Sequence, residues 1–152
     1  MVTTETDRIE KKAILRAPRS RVWRAIVTPE EFGQWFRAKL DGAFQEGATV
    51  RGNITHPGYE HLKLEMRIER IEAEHYFAYR WHPYAIDPAV DYSREPMTLV
   101  EFRLDEVEGG TLLTIVESGF DRIPAARRAE AFRMNDGGWK SQMSNIERHV
   151  SA

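Results

Sequence analysis

Two carboxylates, Glu117 and Asp136, stand where the patterning of the chain calls for apolar side chains, and carboxyl groups so placed can move protons. Glu117 follows Leu113 and Ile115 at a spacing of two, so on that strand register it points to the same inward face. Asp136 falls on the apolar stripe of a helix. A carboxyl facing an apolar space is costly unless paired, and burial raises its pKa toward a range useful for general acid or base work on a carbonyl or polyketide-like substrate. The plainer reading sets Glu117 at a strand end in water or beside Arg103, and Asp136 on the helix surface. The sequence favours that plainer reading, because a register slip of one residue exchanges the two faces. His82 and Tyr84 are further polar candidates for the same region.

Other chemistry finds little footing. The five histidines form no helical His-x-x-x-His pair, and with no cysteine there are no thiolate ligands, so no metal is expected. No Gly-x-Ser-x-Gly elbow is present, and Gly109-Gly110 and Gly137-Gly138 lack the lysine and spacing of a phosphate-binding loop; no cofactor is expected. With 22 basic and 24 acidic side chains there is no global field to attract nucleic acid or an acidic membrane. The opening Met1–Asp7 is polar, no apolar run reaches spanning length, and the lack of cysteine fits a reducing compartment, so a cytoplasmic location is expected. The 152 residues suit a single domain over 1–152.

An aromatic and methionine set, Trp35, Phe36, Met66, Tyr79, Trp81, Phe102, Phe132, Trp139 and Met143, lies on the predicted inward faces, with Tyr84 added from a loop. Such residues make ordinary core; they also suit the lining of an apolar pocket. The glycine pair before Trp139 favours a pocket. Each interior helical glycine costs about 1 kcal/mol relative to alanine, and the gain is either a close backbone approach or an open space beneath.

The elements that must position these residues follow from periodicity. Ala125, Ala129, Phe132, Trp139, Met143, Ile146 and Val150 mark one face of a continuous helix over Ile123 to Val150, with Arg127, Arg128 and Arg133 mostly off the stripe and solvated. Arg8 to Ala17 reads as a strand, Pro18 opens a short helix burying Val22, Ala25 and Ile26, and Thr28-Pro29-Glu30-Glu31 caps a second helix that carries Phe32, Trp35 and Phe36. Strands follow over Ala48 to Thr55, through Leu62, Leu64, Met66 and Ile68 with a bulge before Ile71, through Phe77 to Trp81, through Val100 to Leu104, and from Thr111 to Glu117. A sheet with one apolar face and a helix with one apolar stripe are natural partners, so the expected fold is α+β, with about six or seven antiparallel strands curved around the C-terminal helix. His82 to Pro96, with Pro83, Pro88 and Pro96, is too long for a hairpin turn and reads as a lid, a packed flap or a dimer contact.

Ala17-Pro18-Arg19-Ser20-Arg21-Val22-Trp23, Thr28-Pro29-Glu30 with Trp35-Phe36, Trp81, Gly110-Thr111, Glu117-Ser118-Gly119-Phe120 and Gly138-Trp139 together resemble the SRPBCC or START-like superfamily. The branch is the one named after the activator of the ATPase of heat shock protein 90. The resemblance implies a helix-grip fold with a cavity between the sheet and the C-terminal helix, of the kind used for apolar ligands. Three functions are open on these grounds. The first is binding of a small apolar or aromatic molecule without cofactor; the second is a cyclase or aromatase type of enzyme using an inward carboxylate. The third, set below them, is a module whose exposed sheet face touches a chaperone or a second copy of the chain.

Overall fold

The computed structural model describes residues 7–87 and 89–151. Met1 to Thr6 of the polar opening, Pro88 of the long loop and Ala152 lie outside the described residues. Strand β1 (Arg8–Leu15) leads into helices α1 (Arg19–Val27) and α2 (Pro29–Phe36). Strands β2 (Ala38–Asp41), β3 (Thr49–Ile54), β4 (Lys63–Glu72), β5 (Tyr76–Trp81), β6 (Thr98–Val107) and β7 (Gly110–Ser118) follow. A single 3-10 turn, Phe120–Arg122, precedes helix α3 (Ala125–Ser151).

The strands form one seven-stranded antiparallel sheet in the order β1-β7-β6-β5-β4-β3-β2. Alternation decides its inner face: Ile9 and Leu15, Met66 and Ile68, Phe77 and Tyr79, Val100, Phe102 and Leu104, and Leu113 and Ile115 are all buried. The bulge expected near Ile71 is the register shift between Ile68 and Arg70, which turns β4 as it passes from β3 to β5. Gly109, at φ 89°, closes the tight turn from β6 into β7. Among the described residues no helix is long and apolar enough to cross a membrane.

Helix α3 is continuous over 27 residues, and its buried positions are Ala131, Trp139, Met143, Ile146 and Val150. It lies across the concave side against β1, α1 and α2. The C-terminal half keeps the expected phase. In the N-terminal half the phase is one residue off: Ala125 and Ala129 are exposed, while Ala131 is buried and Asn135 half-buried. Steps of four from Ala131 through Asn135, Trp139 and Met143 exceed the 3.6-residue turn, so the contact stripe winds around the helix rather than running straight. Strand β2 is the seventh of the six or seven strands expected. One further expectation needs correction: Thr28 caps α2 through its carbonyl, which accepts the Phe32 N–H at 2.8 Å, and not through its side chain.

Candidate functional site

The recess is at the open end of the grip, where β3, β4 and β5 run past the middle of α3. A cleft of about 280 Å³ is lined by Phe36 of α2, Ile54 of β3, Leu62 and Leu64, Trp81 of β5 and Asn135 of α3, and is roofed by His82, Tyr84, Ile86 and Tyr92 of the long loop. A bay of about 140 Å³ adjoins it and shares Phe36, Trp81 and Asn135, with Gly138, Trp139 and Gln142 completing its wall. Phe36, Trp81 and Trp139 form a contiguous aromatic surface, with centroids 5.9 Å apart between Phe36 and Trp81 and 5.8 Å between Trp81 and Trp139. A Cβ built on Gly137 or Gly138 would meet nothing within 4 Å. Of the two reasons for the glycine pair, open space is therefore the one met, and close backbone approach is not.

Behind that aromatic surface lies Glu117, fully buried. Its carboxylate accepts hydrogen bonds from Trp139 Nε1 at 2.8 Å and Asn135 Nδ2 at 2.9 Å on Oε1, and from Trp81 Nε1 at 2.8 Å and Thr98 Oγ1 at 2.5 Å on Oε2. β7 points the side chain inward in line with Leu113 and Ile115, and β5, β6 and α3 bring the donors. Strand-end solvation and pairing with Arg103 both give way to this arrangement. Burial pushes the Glu117 pKa up, and the bonds from Thr98, Trp81, Trp139 and Asn135 only partly offset it. Indole N–H groups can only donate, so a proton arriving on Glu117 can be shared with Thr98 or Asn135 and with neither tryptophan.

Asp136 is elsewhere. Its side chain is half-exposed on the flank of α3 and takes a 2.9 Å bond from Lys11 of β1, an ion pair that ties helix to sheet edge. Trp35, Met66, Tyr79, Phe102 and Met143 are buried in the packed interior, with the Trp35 indole donating to the Ala25 carbonyl at 2.8 Å. Phe132 packs edge-on against Phe120 at 5.2 Å. These six do not line the cleft, because α2 drives Phe32 and Trp35 into the centre of the grip and leaves space only at its open end. Phe36, Trp81 and Tyr84 are the expected residues that do line it, and Trp139 lines the adjoining bay.

The roof is held by Arg127, which the stripe had placed in solvent. Its guanidinium donates to Glu95 Oε1 at 2.6 and 2.8 Å and to the Pro83 carbonyl at 2.7 Å, and lies 4.8 Å over the Tyr92 ring. His82 Nε2 reaches the Glu95 carbonyl at 3.1 Å. The long loop is thus a flap clasped to the first turns of α3. Sequence reasoning missed Asn135: counting back from Trp139, steps of three and four reach Asp136 and Asn135 alike. No group of three or more His, Cys, Asp or Glu among the described residues is placed to share a metal ion.

The fold and the cleft can be set beside known proteins. A crystal structure of MLL2253 from Mesorhizobium loti superposes with a TM-score of 0.74 at 24% identity, covering 95% of this chain and 96% of that one. DynU16, a protein in the dynemicin biosynthetic locus, gives 0.73 at 20% identity; it covers 96% of this chain, which spans 48% of DynU16. The solution structure of the Aha1 dimer from Colwellia psychrerythraea gives 0.69 at 15% identity, covering 99% and 96%. At these identities the likeness is one of fold. A search of curated proteins finds no match. The family model described as Activator of Hsp90 ATPase homolog 1-like protein matches residues 16–151, nearly the whole described fold, and the chain belongs to that family.

Proposed function

We propose that the protein binds a small, largely apolar aromatic molecule in the cleft between sheet and helix, under the flap that carries His82, Tyr84 and Tyr92. The observation that carries this reading is the aromatic surface of Phe36, Trp81 and Trp139 lining the cleft and the bay that opens beside Gly138. Known ligand pockets run from roughly 300 to 1,000 Å³, so a cleft of about 280 Å³ suits a guest of about one or two fused rings. The enzyme alternative rested on an inward carboxylate, and neither candidate faces the guest. Glu117 is enclosed behind two indoles with all its donors in place, and Asp136 is paired with Lys11 outside the cleft.

The test is calorimetric titration with naphthalene-sized aromatics, after native mass spectrometry has shown whether a small molecule co-purifies. Gly138→Leu projects a side chain into the bay, where nothing opposes it, and should weaken binding by about tenfold or more while leaving the fold intact. Absence of binding by any such aromatic up to its solubility, or unchanged affinity in Gly138→Leu, would sink the reading.

A second copy of the chain is the other partner the surface favours. Tyr59 and Met134 are exposed beside the cleft's outer rim, and the Colwellia relative is a dimer. Sedimentation equilibrium decides it, since a monomer at high concentration leaves those side chains to solvent.

A further inference from the structure

The cleft contains one polar side chain whose orientation the buried network dictates. Asn135 lines both the main cleft and the bay, and its Nδ2 donates to Glu117 Oε1 at 2.9 Å. An amide at ordinary rotamer cost could turn either way round. Here the choice is settled from within: Oε1 also takes the Trp139 indole, the carboxylate offers only lone pairs, and so the amide must present its nitrogen inward. Should Glu117 take up a proton, Thr98 can accept it across 2.5 Å by rotating its hydroxyl, which leaves Asn135 as it is. The carbonyl oxygen of Asn135, with no bond from any described residue, is then the atom left to the cleft. Of the other polar groups around the space, His82 bonds the Glu95 carbonyl, Glu65 bonds Arg51, the Tyr92 hydroxyl accepts from the Asp87 N–H, and Gln142 bonds Asn145 and the Phe36 carbonyl, while Lys63 and the Tyr84 hydroxyl also border it.

We propose that Asn135 selects the guest by accepting a hydrogen bond from it, so that the cleft takes aromatic molecules carrying a hydroxyl or N–H donor, phenols above all, over their ethers. The inference rests on the ligand-cleft reading above and narrows it. Shape comes from the rings of Phe36, Trp81 and Tyr84, which admit a flat guest. Donor preference comes from the Asn135 oxygen, since a guest without a donor leaves that acceptor unpaired once water is displaced.

A matched pair separates these statements: 2-naphthol, which can donate, and 2-methoxynaphthalene, which cannot. Calorimetric titration of the wild-type protein should show 2-naphthol bound about tenfold more tightly, the discrimination typical of one hydrogen bond. Asn135→Leu, of similar size and apolar, should erase that preference while still binding 2-methoxynaphthalene. Equal affinity of the wild type for the two probes would overturn the inference whatever the variant does, as would a preference that survives in Asn135→Leu. If neither probe binds the wild type, the ligand-cleft reading itself has failed, an outcome distinct from binding without discrimination.

Discussion

Glu117 accepts four hydrogen bonds and still holds its proton more tightly than a glutamate in water, because the loss of hydration on full burial outweighs the donors. Its folded pKa is raised above the usual 4.5, so the stability linked to its proton is fully present below that value and is lost as pH rises through the folded pKa. Glu117→Gln removes this titration and turns one amide N–H group toward a donor that cannot accept. We expect the variant to be less stable by about 1–3 kcal/mol near pH 4.5, with the deficit shrinking as pH rises, in urea unfolding followed across that range. A constant deficit would mean that Glu117 does not titrate with folding. The inward direction of this residue was legible from Leu113 and Ile115 two and four positions before it. Its partners were not, since Trp81, Thr98, Asn135 and Trp139 come from two other strands and a helix.

At the scale of the element, α3 shows what a helical pattern can and cannot reveal. Its continuity through Gly137 and Gly138 was read from one phase running from Ala125, Ala129 and Phe132 to Trp139, Met143, Ile146 and Val150; the helix is continuous, although Ala125 and Ala129 are exposed. Which side chain faces the cleft one turn before Trp139 turned on a single residue, and the winding of the stripe chose Asn135 over Asp136. The glycines leave open space, so restoring a methyl group where it meets nothing should recover helix propensity. Gly137→Ala is expected to raise stability by about 0.5–1 kcal/mol in thermal unfolding, with aromatic binding unchanged, because Gly137 lies outside the bay wall that Gly138 forms. Destabilisation instead would show that the helix needs backbone proximity at that point. The flap was visible as a long proline-bearing loop; its clasp was not, because Arg127 reads as one more charge on a solvated face until Glu95 and the Pro83 carbonyl are brought against it.

For the whole molecule, the grip depends on one ring. The Trp139 side chain is buried, lies 5.8 Å from both Trp81 and Phe102, and joins the helix to Glu117 on the sheet's concave face. Trp139→Ala should therefore cost about 3–5 kcal/mol in urea unfolding, the loss of a large buried aromatic together with an unpaired acceptor on Glu117. A near-neutral result would contradict the docking of α3 described here. The ion pair of Lys11 with Asp136 sits on the exposed flank of the same contact and, being half-solvated, adds little to it.

Local periodicity alone determined that a curved antiparallel layer would meet a long amphipathic helix, and it offered, as one of two readings each, a Glu117 on the face of Leu113 and Ile115 and an open space beside the paired glycines. Those features depend on neighbours within a few residues, where side-chain spacing and backbone geometry are rigidly linked. Tertiary structure alone decided which aromatics fill the interior and which border the space, because that depends on how deep α2 pushes Phe32 and Trp35 into the grip. It also decided that Asn135 faces the cleft and that Arg127 is a clasp, since each role is created by a partner from a distant part of the chain.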